Sequence, residues 1–434
     1  MSNKGGNRCL DAFNITLDQA CEGGGTRWYV STMELQSASL EFCRACRSIP
    51  TLHVRVDATT PRSIWSPCKS QTLPETRSSK LRIFSRVPVI HALRLTWELS
   101  TKALQQSAAK ELWTRSEVLE LRGSSSRSTS SLEGMIWPQV LKKLVLDTHS
   151  WTAVKGGPWP ACVEQLSFWR SFNQPIAGVV WPVSLKRLQF SKSFNQPIIE
   201  ASWPVSLEQL LFGRNFNQPI VGVSWPTSLK QLQFGKNFNQ PIAGVLWPVS
   251  LEQISFGHRF NQPITGVVWP ASLEQLEFGF MYNQPIDDVA WPASLHQLSF
   301  GSDFNQPVAG EVWPVSLEQL SFGHNFNEPI AGVVWPASLQ QLSFGVEFNQ
   351  PIAGAVWPVS LEQLSFGYDF NQPIAGEVLP ASLKKLSFGT RFNQPITEVA
   401  WPVSLQQLSF GWCFNQPITE VVWPAFLEKV SLVG

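Results

Sequence analysis

About two thirds of this chain is one 22-residue phrase repeated without insertion or deletion. The word FNQPI, or a close copy, begins at Phe172, Phe194, Phe216 and Phe238 and returns at the same step to Phe414. A Trp-Pro pair keeps that step from Trp137 to Trp423, with Leu379 as the one substitution. Strict repetition at this period is the mark of a solenoid, whose units stack on one another. The unit reads WP-x-SL-x-x-L-x-F-G-x-x-FNQPI-x-x-x-x and makes 14 coils over residues 137–434, those of Trp137 and Trp423 lacking FNQPI. The unusual composition is a by-product: 26 of 32 Pro, 23 of 28 Phe and 13 of 20 Trp fall at fixed repeat positions.

Inside each unit, Leu185-Lys-Arg-Leu188-Gln-Phe190 ends in apolar alternation, which predicts a short strand with one buried face. Pro has no N–H for a ladder, so Pro182 and Pro197 belong outside that strand, at two corners where the coil turns. Stacked coils then set equivalent strands side by side and parallel, about 4.8 Å apart. Trp, two Phe, two Leu and an Ile per coil point inward and stack on their copies, as Trp181, Trp203, Trp225 and Trp247 would. A single coil cannot bury enough apolar surface to fold alone, so stability comes from its neighbours. Tight corners leave backbone groups that no strand pairs with. The Asn of each FNQPI (Asn173, Asn195, Asn217, Asn239, Asn261 and onward) is expected to satisfy them as an inner ladder from coil to coil.

These words resemble the FNIP repeat family, whose 22-residue repeats are relatives of leucine-rich repeats. The departure is Trp where the family usually has Leu before Pro, a form kept only at Leu379. FNQ followed by a downstream Trp is also similar to the repeats of BspA-like leucine-rich surface proteins. The FNIP resemblance implies protein interaction rather than catalysis. Some relatives carry an F-box ahead of the array, which implies a substrate-binding adaptor of a ubiquitin ligase, but no Leu-Pro-x-Glu opening stands here.

Residues 1–122 read as an irregular α/β cap that begins the same solenoid, joined through a Ser-rich loop at 123–136. MELQSASLEFCRACRS (33–48) has helical apolar spacing and leads into TLHVRVD, which reads as a strand; LRIFSRVP (81–88), HALRLTWEL (91–99), STKALQQSAAKELW (100–113) and EVLELRG (117–123) continue in the order helix, strand, helix, strand. Five of the seven Cys lie in the first 68 residues, and Cys43-Arg-Ala-Cys46 has no second pair with which to hold zinc. The N-terminus lacks an apolar signal core and no segment approaches a membrane span. An intracellular location, cytoplasmic or nuclear, with free thiols is therefore expected.

The net charge is +1, with 18 Lys/Arg against 12 Asp/Glu in residues 1–136 and 15 against 20 beyond. Neither part suggests nucleic-acid or membrane-surface binding. No phosphate loop, HExxH or GxSxG appears, so no cofactor, metal or catalytic residue is assigned. His258 and His324 share a repeat position but stand three coils apart.

The copies differ most in the two residues after the strand glycine. Basic residues come early, Arg214 and Arg259 among them; acidic residues such as Asp369 come later, and Phe280, Met281, Tyr368 and Trp412 add apolar surface. The outward strand positions are by contrast a monotonous Gln and Ser face. The sequence thus predicts a non-catalytic protein-binding scaffold whose candidate partner-binding residues are Arg214, Arg259, Phe280, Met281, Tyr368, Asp369 and Trp412. Alternatives are the F-box-type adaptor and a protein that self-associates through its C-terminal strand, Val430-Ser-Leu432, where an open edge invites pairing.

Overall fold

The computed structural model describes residues 117–123, 137–147, 159–169 and 171–432, with four strands nearer the N-terminus. Two compact units, Met1–Phe194 and Asn195–Gly434, divide it. Among the described residues there is no helix. The fold is a parallel β-solenoid of 22-residue coils.

In the first unit, β1 (Leu17–Glu22) and β2 (Gly25–Val30) form an antiparallel hairpin. Parallel pairing then runs through β3 (Leu52–Val56), β4 (Ala92–Trp97), β5 (Val118–Gly123), β6 (Lys143–Asp147), β7 (Gln165–Phe168) and β8 (Arg187–Gln189). Strands β3, β4 and β5 occupy TLHVRVD, HALRLTWEL and EVLELRG. The expected helices at 33–48 and 100–113, the LRIFSRVP segment, Cys43 and Cys46, and residues 124–136 lie outside the described residues.

In the second unit, strands from β9 (Gln209–Leu211) and β10 (Gln231–Gln233) to β19 (Lys429–Leu432) pair in parallel at an unbroken 22-residue register. Thus Gln209 faces Gln231, Gln275 faces Gln297, and Ser409 faces Ser431. Most strands are three residues long, because a Pro turn and a Gly turn close in from either side. Their central Leu232, Ile254 and Leu276 are buried, and the flanking Gln and Ser face out.

The full coils of the second unit have three tight corners, one more than the two read from the prolines. The Pro-x-Ser-Leu corner closes through Leu251 N–H to the Pro248 carbonyl (3.1 Å), and the Gly-x-x-Phe corner through Phe260 N–H to Gly257 (3.0 Å). The third lies in the four residues after FNQP, where Val245 N–H donates to the Ile242 carbonyl (3.2 Å). Its third residue is Gly244 at φ +79°, as a type II turn requires.

The core is a set of columns running through the coils. Phe256 and Phe260 stack at 4.1 Å within one coil, and each ring meets its copy in the next, Phe278 at 5.7 Å and Tyr282 at 6.0 Å. Leu, Ile and Trp columns fill the rest as expected. A further buried column, Val223, Val245, Val267, Val289 and Val333, comes from the stretch that sequence comparison left as variable.

Tyr282 is the one Tyr in the FNQPI Phe column. It is fully buried and its hydroxyl finds no hydrogen-bond partner, so desolvation pushes its pKa far upward. A buried polar group left unpaired costs about 1–3 kcal/mol. Tyr282→Phe restores the ring of the other coils and should raise stability by that order, read as a higher urea midpoint at unchanged slope.

The Asn ladder is real in its bonding but lies half-buried at the surface rather than inside. Asn217 Oδ1 accepts the backbone N–H of Asn239 (2.8 Å) and the side-chain amide of Gln240 (3.1 Å). The same pair of bonds recurs on Asn239, Asn261 and Asn283. One rung is thinner: Asn305 Oδ1 takes the N–H of Asn327 (2.8 Å), but Glu328 stands where other coils offer a Gln amide. The Ser of each WPxS makes another ladder, Ser250 Oγ donating to the Leu229 carbonyl (2.8 Å) and Ser272 Oγ to Leu251 (2.8 Å).

Candidate interaction surface

The buried columns, turns and ladders of the coil are thus committed to architecture, and the outer face of the strands and the rim beside it are left facing outward. Within the second unit the outer face of the strands is grooved. One groove of about 600 Å³ crosses the strands from Gln297 to Ser431, and another of about 250 Å³ runs from Leu210 to Ser299.

Along the rim lies the variable pair of each coil. Its backbone forms a further ladder that the sequence did not suggest. Asn237 N–H donates to Arg214 (2.8 Å), Arg259 to Lys236 (2.9 Å), Met281 to His258 (2.8 Å) and Asp303 to Phe280 (2.8 Å). The same bonds continue through Asp369 to Val346 and Arg391 to Tyr368. These rungs hold the main chain whatever the side chains are, so the side chains can differ freely while their spacing stays fixed.

Arg214 and Arg259 are exposed, and each donates or accepts only through its backbone in this ladder. Phe280 is 47% exposed and its ring lies flat on His258 at 4.7 Å, with Met281 exposed beside it. Tyr368 is also 47% exposed, and Arg391 sits 5.7 Å over its ring while pairing with Asp369 at 3.1 Å. Trp412 is 71% exposed. The seven residues singled out from sequence thus lie on one rim but form no single cluster: Phe280 with Met281, and Tyr368 with Asp369 and Arg391, are separate patches four coils apart.

Comparison with known proteins bears on the rim and its scaffold alike. The FNIP Repeat family profile matches at 172–215, 216–258, 238–281, 282–325, 304–347, 326–369, 348–391 and 392–432. The chain belongs to the FNIP repeat family. Among solved structures, fourteen chains match. One of them, titled as the crystal structure of CroV588, a novel circular LRR protein structure, shares 39% identity at a TM-score of 0.69. The match covers 79% of this chain and 49% of that one, so the FNIP chain spans about half the length of this relative. No curated protein sequence matches significantly.

Three charged departures from the monotonous strand face of the second unit have no mark in a single coil: Glu277, Lys385 and Lys429. They line the grooves, where every other lining residue is uncharged. Read one coil at a time they pass for drift; only the parallel register places them in the same two columns as Gln and Ser.

Another departure is in the FNIP array's Val column. Glu311 stands among Val267, Val289 and Val333 and is buried. Burial first, and then the nearby carboxylates of Asp287 and Asp288, push its carboxyl up to about 7. The folded state therefore holds a proton that the unfolded chain releases near 4.5, and stability falls as pH rises from about 4.5 through about 7. At pH 8, Glu311→Gln should stabilise the protein by about 1–2 kcal/mol, and at pH 5 by almost nothing. Urea midpoints of both proteins at the two pH values check the sign. Among the described residues no group of three potential metal ligands comes together, and no helix is long and apolar enough to cross a membrane.

Proposed function

We propose that this FNIP array is a non-catalytic protein-interaction scaffold of the cytoplasm or nucleus that presents its variable rim to partner proteins. The observation that carries this reading is the rim's own backbone ladder, which separates side-chain variation from the fold. The repeated Phe, Leu, Ile, Trp, Pro and Asn positions have structural tasks in core, turn or ladder. The rim alone combines fixed spacing with free chemistry, and its exposed aromatic and Arg residues are the types that anchor interfaces. Membership of a solenoid family related to leucine-rich repeats supports the same reading.

The test is proximity labelling in the native cell type, comparing the wild-type chain with a Phe280→Ala, Tyr368→Ala, Trp412→Ala variant shown by circular dichroism to be folded. Loss of a defined partner set supports the rim. An unchanged set removes it. Ubiquitin-ligase components that persist in both forms would instead favour the adaptor reading, with function held in the first 136 residues. A sedimentation profile that shifts with concentration and loses that shift on altering β19 would favour self-association.

A further inference from the structure

We propose that the longer groove binds an extended acidic segment of a partner protein, with its carboxylates on Lys385 and Lys429. The inference rests on the scaffold reading and names the chemistry of one partner site on it. The floor of this groove is two columns in register: Gln297, Gln319, Gln341 and Gln363 in one, and serines from Ser299 to Ser431 in the other. Amides and hydroxyls both donate and accept, so such a floor suits the exposed backbone of an extended chain. The Gln column then changes to Lys385, returns to Gln407, and changes again to Lys429.

Those two lysines are the only charges lining the groove. Both are exposed, and neither belongs to an ion pair among the described residues. Their neighbour Lys384, outside the lining, is already neutralised by Glu362 at 2.6 Å. Two strand spacings separate Lys385 from Lys429, about 10 Å. An extended chain in the polyproline II form, with three residues per turn and about 3.1 Å rise per residue, sets acidic side chains three positions apart on one face at about the same interval. At the other end, the shorter groove has Glu277 as its single charge, held by the Ser255 hydroxyl (2.9 Å). It repels carboxylates and fixes which end of the face an acidic segment takes.

The test is fluorescence anisotropy on the full chain with two labelled dodecapeptides, (Glu-Ser-Ser)4 and (Lys-Ser-Ser)4. The acidic peptide should bind and the basic one should not, and binding should weaken as salt is raised. Lys385→Gln with Lys429→Gln places in both coils the residue that the column already holds elsewhere, so the fold is kept. This variant should lose at least about tenfold in affinity, and the charge-reversed pair K385E and K429E more. Lys142→Glu, outside the groove, should bind as wild type. The proposal is overturned if wild type fails to bind the acidic peptide up to millimolar concentration, if the basic peptide binds as well, or if the Gln pair binds the acidic peptide unchanged. Proximity labelling that still depends on the rim in any of those cases leaves the scaffold reading standing. Peptide binding that persists after rim substitution, with labelling unaffected by it, separates failure of the rim from failure of the groove.

Discussion

Gly301→Ala is expected to destabilise the protein by about 3 kcal/mol or more, whereas Gly332→Ala, at a different position of the repeat, should cost about 1 kcal/mol. The two glycines exist for different reasons. Gly301 follows a strand, and a Cβ there would run into the carbonyl of Gly279 in the preceding coil. The obstacle is backbone, not a side chain that can turn aside. It is also held on both sides, by Tyr282 N–H to Gly279 (3.1 Å) and by Asp303 N–H to Phe280 (2.8 Å). Relief would require parting two coils that the sheet keeps together. Gly332 has no atom within 4 Å of the added methyl, and its φ of +78° is the only obstacle. Asp288 adopts φ +58° at the same turn, so a side chain can be accommodated there. Urea unfolding followed by far-UV circular dichroism checks the ordering. Equal costs for the two substitutions would mean that coil-to-coil contact at the glycine column is looser than its geometry.

How much of this was legible in the letters depended on whether a residue answers to its own coil or to the next one. Phe, Leu, Ile and Pro report on local burial and turning, and their columns fall where alternation and Pro placement put them. The corner after Pro197 carries only a partial signature of its turn type, because Glu200, Asp288, Glu398 and Glu420 interrupt the third-position Gly of Ile-x-Gly-Val along the chain. Leu379 in the Trp column becomes intelligible only in the structure. The buried indole N–H groups of Trp225, Trp247, Trp269 and Trp335 make no hydrogen bond, so the column asks for apolar volume, which Leu supplies. The rim was found by comparing copies, but its backbone ladder has no side-chain signature at all. Groove charges were missed for a related reason. A Lys for Gln exchange is unremarkable in one coil, and it acquires meaning only when the register shows which residues share a floor.

The same dependence on neighbours predicts that one substitution will have two costs. Phe260→Ala should destabilise by about 3–5 kcal/mol, and Phe414→Ala by roughly a third of that, although both are the first letter of FNQPI. Phe260 is fully buried, with Phe238 at 6.1 Å on one side, Tyr282 at 6.0 Å on the other, and Phe256 against its face at 4.1 Å. Removing its ring leaves a cavity bounded by three aromatic groups, none of which can collapse without leaving its own column. Phe414 is only half-buried and stacks on Phe392 (6.1 Å) and Phe410 (4.1 Å), so part of its surface is already wet and water fills what the ring vacates. Because each coil is stabilised mainly by the two beside it, the Phe260 variant should also unfold less cooperatively, with a shallower or divided urea transition as the coils on either side of the gap uncouple. A single transition of unchanged slope would show that the Trp and Leu columns bridge the gap without the ring. The array would then unfold as one body rather than coil by coil.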